Sequence, residues 1–449
     1  MNWRRALWVW GVIVVVEVAH GMARELFIAP VLGDRPARQL GVLVGSGLII
    51  LVAVLTIRWI GAIRCNDQLR VGAVWVALIV VFEVALGLAL GDPPARLLED
   101  YDLTAGGYMG LGLTFMLFAP ALAYQMRQVG WPAHLAMALA FLLLTITMFI
   151  ALLYQRDIQP AYARIGEGSR VAMTPCGPIE YATAGFGTPV LIVHGSGGGF
   201  DQGLRVLGAL AEQGFELISV SRFGYLRTPL PDDASAQAQA DAHACLLDAL
   251  GYRQVAIAGA SAGAPSALKF ALRHPERTRA LILLVPALYA PRPDGVESVI
   301  TPPGTQSLFD TALKSDLLFW VAPRVARSLV ISAILATPPQ QVAQASEAER
   351  ARVDAMIDGI LPVRPRRAGL INDAAVTTGI ERYPLEAIAV PTLVISAEDD
   401  LFGTFDAARH VAESVPGARF LALPDGGHVW VGHHEQVMAT MATFLRAHR

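Results

Sequence analysis

The chain has 449 residues, of which 54% are hydrophobic and only 16% charged, with a mean hydropathy of +0.47. That balance excludes an ordinary soluble enzyme along the whole length, and a net charge of -3 gives no reason to expect a nucleic-acid partner. The length suits two or three domains.

The apolar excess lies at the start. Five apolar runs, near 6–23, 39–60, 71–90, 106–126 and 133–154, are each close to the length that crosses hydrocarbon. Residues 1–155 are therefore expected to form an α-helical transmembrane bundle in contact with lipid. Arg4 and Arg5 precede the first run as in a signal peptide, but four further runs and the lack of an A-x-A-like site argue for a retained helix. The bundle contains a repeat. Glu17-Val18-Ala19 matches Glu83-Val84-Ala85, and Gly33-Asp34-Arg35-Pro36-Ala37-Arg38 matches Gly91-Asp92-Pro93-Pro94-Ala95-Arg96. Two helices per copy make the copies parallel and leave the fifth helix as an unpaired tether. Glycines spaced by four, Gly41 with Gly45 and Gly106 with Gly110, are expected to let the second helix of each copy pack closely. Glu17 and Glu83 are read as charges near helix ends or paired with arginine, in preference to a proton or ligand site.

Basic residues in the short loops favour an N-terminus inside. Arg4, Arg5, Arg58, Arg64, Arg70 and Arg127 fall on its side, against Arg24, Arg35, Arg38 and Arg96 on the other. Counting Arg156 and Arg164 with the second group removes the margin. With five spans, the remainder of the chain is expected to be extracytoplasmic. Cys65, Cys176 and Cys245 form no C-x-x-C pair and no disulfide framework, so they say little about redox compartment.

Residues 156–170 read as a charged linker containing glycine. Beyond it the periodicity changes. Val171–Met173 with Ile179–Ala182 suggests a hairpin, and short apolar strands at 190–193, 217–220, 255–258 and 281–285 alternate with helical stretches near 202–213, 235–250 and 264–273. Such alternation with short connections means a parallel sheet covered on both faces. Gly259-Ala260-Ser261-Ala262-Gly263 stands where one strand turns into a helix, the setting in which G-x-S-x-G forms a nucleophile elbow.

From about residue 171 onward the chain resembles the α/β-hydrolase fold family. His194-Gly195-Ser196-Gly197-Gly198 resembles its H-G-x-G-G oxyanion loop. Ser221–Thr228 resembles its D-x-x-G-x-G-x-S loop, with Ser221 and Tyr225 in place of an aspartate and a glycine. Pro391–Ser396, followed by Ala397-Glu398-Asp399-Asp400, resembles the strand and loop that deliver the acid, and Gly426-Gly427-His428 resembles the histidine loop. The resemblance implies a mostly parallel sheet in two parts, 171–287 and 389–449, with a helical cap inserted at 288–388. That insertion has prolines at its entry (Pro291, Pro293, Pro302, Pro303) and helical runs near 306–336 and 347–360. Its apolar face around Phe319, Trp320 and Leu329 either packs on the core or forms an acyl pocket or lid.

The resemblance also implies a triad of Ser261, Asp400 and His428, in the family's chain order, with Asp399 as the alternative acid. A serine hydroxyl is a poor nucleophile without a base in reach. His428 would take its proton, and a carboxylate would fix the imidazole tautomer. Oxyanion donors are expected from the amides of Ala262 and of Ser196 or Gly197. His194 is expected to support its loop, and His433 and His434 to be exposed or capping at the last helix. No cofactor and no metal are expected. These readings converge on a membrane-anchored serine hydrolase acting on a small, lipophilic carboxylic ester. An amidase, a thioesterase or a C–C bond hydrolase would use the same machinery, and a non-catalytic ligand sensor or scaffold is the alternative from another class. Serine at the nucleophile position argues against the family's dehalogenases and epoxide hydrolases, which use aspartate.

Overall fold

The chain folds as two compact units, Met1–Asp157 and Ile158–Arg449. The computed structural model describes residues 1–90, 99–103, 106–291 and 314–449. Among the described residues, five helices are long and apolar enough to cross a membrane. They are α1 (Trp3–Ala23), α2 (Asp34–Ile60), α3 (Cys65–Leu90), α4 (Met109–Met126) and α5 (Trp131–Gly166). A π-helical turn, Arg24–Ile28, and one further turn, Ala29–Leu32, extend α1. Helix α1 packs on α2, and both α2 and α3 pack on α4, around Ile13, Ile49, Ile57, Trp75 and Met116. Trp75 is fully buried and donates its indole N–H to Ala6 O at 2.9 Å, so its polar atom is satisfied. Outward the bundle presents Trp8, Val15, Leu55 and Leu143, where a bundle facing water would carry polar side chains.

The small residues of the repeat behave unequally. A Cβ on Gly45 would stand 2.7 Å from Glu17 Oε2, and one on Gly41 would stand 3.0 Å from Arg24 Cδ, so both glycines admit side chains from the first helix and its extension. Gly110 does not repeat this, and Gly106 does so only from outside a helix, since a Cβ there would stand 3.0 Å from Gln39 Nε2. Gly106 precedes α4 at a φ of 84° and accepts a hydrogen bond from Gln39 Nε2, while nothing lies within 4 Å of a Cβ on Gly110. The second loop of the repeat, 91–96, lies outside the described residues. Glu17 pairs with His20 at 3.4 Å and, among the described residues, with no arginine. Glu83 lies seven residues before the end of α3.

The expected linker is also revised. Helix α5 continues through Gly166 despite Pro160. Its last turns bury Ile158, Ala161 and Ile165, a one-sided stripe at helical spacing that keeps the segment helical after its hydropathy falls.

The second unit is built on one sheet. Its strands are β1 (Arg170–Thr174), β2 (Gly177–Gly185), β3 (Thr188–Val193), β4 (Phe215–Val220), β5 (Val255–Ala260), β6 (Thr278–Leu284), β7 (Thr392–Ala397) and β8 (Arg419–Leu423). Their order is β1-β2-β4-β3-β5-β6-β7-β8. The pairs β1–β2 and β2–β4 are antiparallel and all others parallel. Alternation along each strand supplies both faces. Leu191, Val193, Ile257 and Leu281 point into one core, with helices α7 (Ala236–Leu250) and α8 (Ala264–Arg273) and with α14 (Thr404–Ser414). Val190, Ile192, Ala258 and Ile282 point into the other, against α6 (Phe200–Leu207) and α15 (His434–Ala447). Each buried Leu or Ile contributes roughly 1.5–3 kcal/mol. Ser235 caps α7 by accepting from Ala238 N, and Gly251 ends it at a φ of 78°.

Between β6 and β7 the described chain is helical: α9 (Asp316–Val325), α10 (Arg327–Ile334), α11 (Pro339–Gln344), α12 (Glu347–Gly359) and α13 (Arg367–Thr378). The single helical run expected near 306–336 is two helices bent by 113° from each other. The entry, with Pro293, Pro302 and Pro303 and residues 306–313 of that run, lies outside the described residues. The cysteines also depart from expectation. Cys176, in the β1–β2 turn, forms a disulfide with Cys245 of α7, with Cα atoms 6.1 Å apart. The two lie 69 residues apart in sequence and meet only because the hairpin folds over α7.

Candidate active site

Strand β5 ends at Ala260, and Ser261 follows with a φ of 49°, a left-handed conformation that costs a non-glycine residue of order 1–3 kcal/mol. The flanking glycines make this turn possible. A Cβ on Gly263 would lie 2.5 Å from the carbonyl oxygens of Val193 and His194, and one on Gly259 would lie 2.6 Å from Ala267 Cβ. The strand and helix therefore close around Ser261 only because both positions lack side chains.

The loop after β7 carries two adjacent carboxylates with different partners. Asp400 Oδ2 lies 2.7 Å from His428 Nδ1 and also accepts from Thr404 Oγ1, while Oδ1 accepts from Phe402 N at 2.9 Å. Asp399 instead accepts from Gly427 N at 2.8 Å and from Gln341 Nε2, which fixes the backbone of the histidine loop. Gly427, at a φ of 62°, presses on Thr337, where a Cβ would come within 2.6 Å of its Cα. The Phe402 ring meets His428 edge to face at 5.1 Å. Ser261 and His428 line one pocket with Gly195, Ser196, Leu335, Ile360 and Trp430.

The loop after β3 overlies Ser261, since a Cβ on Gly195 would stand 3.3 Å from Ser261 Cβ. Of the expected oxyanion donors, the Gly197 amide is committed to Tyr225 Oη at 3.2 Å. The Ser196 amide donates to no acceptor among the described residues, and Ala262 directly follows Ser261. His194 sits beneath this loop. Burial, then the neighbouring Arg222 guanidinium, hold its imidazole well below the usual range. It is therefore neutral, with Nδ1 2.6 Å from Gly195 O and Nε2 accepting from Arg222 N. Among the others, His433 Nε2 lies 2.7 Å from Asp425, and Trp430 donates to His434 at 3.4 Å.

Sequence reasoning missed the centre of this scaffold, Asp373. It sits on α13 and accepts from Arg222 Nη1 (2.6 Å) and Nη2 (2.7 Å), from Tyr225 Oη (2.5 Å) and from Ser196 Oγ (2.8 Å). Burial, then this carboxylate, push the Tyr225 hydroxyl well above its ordinary value, so it stays a donor. Burial disfavours the Arg222 charge, but Asp373 outweighs burial and keeps the guanidinium protonated. The two departures from the family loop are thus put to use. Tyr225 bridges Gly197 to Asp373, and Ser221 donates to Glu180 at 2.8 Å. Helix α13 meets this loop through two glycines, with Gly369 N donating to Gly224 O at 2.8 Å and the Tyr225 ring lying where a Gly369 side chain would be. The only signal in the sequence is that Asp373 is the lone charge in α13 after Arg367.

A second buried pair lies beside it. Arg366 is fully buried and holds Asp201 through Nη1 (3.0 Å) and Nη2 (2.8 Å), with Gly198 O as a further acceptor.

Sheet order and elbow together define an α/β class of hydrolase. The chain belongs to the alpha/beta hydrolase fold family, whose model matches residues 188–431, just over half of its length. It is 27% identical over 273 residues to the uncharacterized hydrolase YcgS of Bacillus subtilis (strain 168), covering 57% of this chain and 90% of that protein. It is 33% identical over 113 residues to the 2-hydroxy-6-oxo-6-phenylhexa-2,4-dienoate hydrolase of Comamonas testosteroni, covering 24% of this chain and 40% of the relative. Among solved structures, an alpha/beta hydrolase fold protein from Nakamurella multipartita is 29% identical with a TM-score of 0.48, and the match covers 62% of this chain and 99% of that one.

Proposed function

We propose that this chain is a membrane-anchored serine hydrolase that cleaves small, lipophilic carboxylic esters through an acyl-enzyme. One observation carries the reading: Ser261, raised on its left-handed turn, shares a pocket with His428, whose Nδ1 lies 2.7 Å from Asp400. His428 Nε2 takes the Ser261 proton as Oγ attacks the carbonyl carbon, and the amides of Ala262 and Ser196 receive the developing oxyanion. The same Nε2 then protonates the leaving alcohol, and water repeats the sequence to release the acid. A fluorophosphonate probe, followed by mass spectrometry, is expected to label Ser261. Folded protein that stays unlabelled there would instead support a ligand sensor. A second reading is C–C bond hydrolysis, favoured by the similarity to the dienoate hydrolase of Comamonas testosteroni. Turnover of that relative's named compound in preference to esters of graded acyl length would select it.

The adjacent carboxylates separate by mutation. Asp400→Asn is expected to lower kcat by roughly 10³- to 10⁴-fold, because the imidazole loses the partner that fixes its tautomer. Asp399→Asn is expected to cost less than about tenfold. The reverse ranking would move the acid to Asp399.

Anchoring is supported by the five long apolar helices and their exposed apolar faces. An extracytoplasmic hydrolase unit is supported by the loop charges and by the Cys176–Cys245 disulfide, a bond that persists in oxidising compartments. Reporter fusions after Arg156 are expected to give active alkaline phosphatase and a dark cytoplasmic fluorophore. The opposite pattern would place the unit in the cytoplasm.

A further inference from the structure

Helix α6 begins immediately after the oxyanion loop and carries Gln202 and Arg205 to the wall of the active-site pocket. The rest of that wall is largely apolar, with Ile334, Leu335, Met356 and Ile360 from the cap, and none of its lining residues is a carboxylate. Arg205 donates no hydrogen bond and forms no ion pair among the described residues. Its two cationic neighbours are held. Arg366 takes Asp201 through both terminal nitrogens, and Arg164 reaches the same carboxylate at 3.4 Å. Three guanidiniums therefore act on one carboxylate, Asp201, leaving a local excess of positive charge beside the pocket. Burial would raise the Asp201 carboxyl, but Arg366, Arg164 and Arg205 outweigh it and hold it below the usual range, so its negative charge is already engaged. Backbone shape fixes the position of the free group. Gly359 ends α12, and a Cβ there would stand 3.0 Å from Arg205 Nε and 3.3 Å from its Cζ. The guanidinium thus lies against bare main chain at the pocket edge.

We propose that Arg205 forms an anion subsite in the pocket, so that the favoured substrate is an acyl compound bearing a carboxylate remote from its scissile carbonyl, as in a half-ester of a dicarboxylic acid. A guanidinium offers paired N–H donors to a carboxylate, and an apolar wall with one unspent cation selects a ligand with an apolar stem and one anionic end. This rests on the serine-hydrolase reading for the reaction but not for the binding.

The test uses the full chain in detergent micelles or lipid nanodiscs. The kcat/KM of p-nitrophenyl hemisuccinate, hemiglutarate and hemiadipate is compared with that of uncharged esters of matching length. The charged series is expected to be favoured by about 10- to 100-fold at low salt, with the margin shrinking as ionic strength rises. Arg205→Met is expected to remove most of that ratio and Arg205→Lys to restore part of it. In parallel, calorimetry on Ser261→Ala protein is expected to detect glutarate, with binding lost when Arg205→Met is added. A charged-to-neutral ratio and glutarate binding that Arg205→Met leaves unaltered would overturn the subsite. Ester turnover without charge preference would sink the subsite and leave the serine-hydrolase reading standing. Arg205-dependent glutarate binding in a protein that hydrolyses no ester would do the reverse.

Discussion

Replacing Ser261 by alanine is expected to lower ester turnover by roughly 10⁴- to 10⁶-fold while the protein stays folded. The side chain is small and stands at the pocket surface, so its removal opens no cavity in the core. His428→Ala is expected to reach a comparable loss of activity at a larger cost in stability. It leaves the buried Asp400 carboxylate with Thr404 and the Phe402 amide but without its imidazole. Ser261→Gly separates function from stability most clearly. Glycine adopts a φ of 49° without strain, so this variant is expected to be inactive yet more stable than the parent by about 1 kcal/mol. Thermal unfolding and steady-state hydrolysis of a p-nitrophenyl ester check all three. Near-normal turnover in Ser261→Ala or His428→Ala would remove the triad assignment.

Asp373→Ala is expected to be the most destabilising change near the site, at about 3–5 kcal/mol, because it strands the buried Arg222 guanidinium. Asp373→Asn keeps the volume and one acceptor oxygen but loses the charge, so a smaller loss is expected. In the asparagine variant, kcat should fall by roughly 10²-fold with KM little changed. Ser196 Oγ and Tyr225 Oη would then be poorly held, and the loop they fix would no longer present the Ser196 amide in register. A residue that merely stabilised the cap would lower Tm and spare kcat in the surviving folded fraction. Active-site titration with the fluorophosphonate separates these outcomes, and full kcat per titrated site would reject Asp373 as a positioning residue.

Local signals in the sequence were strong where one short stretch specifies its own geometry. Gly259 to Gly263 is such a stretch, since two glycines, a serine and the change from strand to helix period sit within a few residues. The strands β3 to β7 were legible because each is a brief apolar run between turn residues. The edge strand β8 was not, because only its last residue is fully buried and little in Arg419–Leu423 stands out. Contacts between distant segments were illegible for a different reason. Asp373 meets Arg222 across 151 residues, and Cys176 meets Cys245 across 69. No local pattern announces either partner. Pro160 and the charges around it suggested an end to the last apolar helix, yet the Ile158, Ala161 and Ile165 stripe shows why helix outlasts hydropathy.

The carboxylate that fixes the Ser196 loop belongs to α13, in the cap, and not to the sheet that carries Ser261, Asp400 and His428. Cap and catalytic loop are therefore one mechanical part. A cap displaced far enough to admit a bulky ligand would draw Asp373 away from Ser196, Tyr225 and Arg222, and the Gly224–Gly369 contact would part with it. The open protein would then offer a nucleophile without a prepared anion hole. On the serine-hydrolase reading proposed above, such an interlock is expected to confine bond cleavage to the shut state and to make reclosure, after each product leaves, a condition for the next turnover.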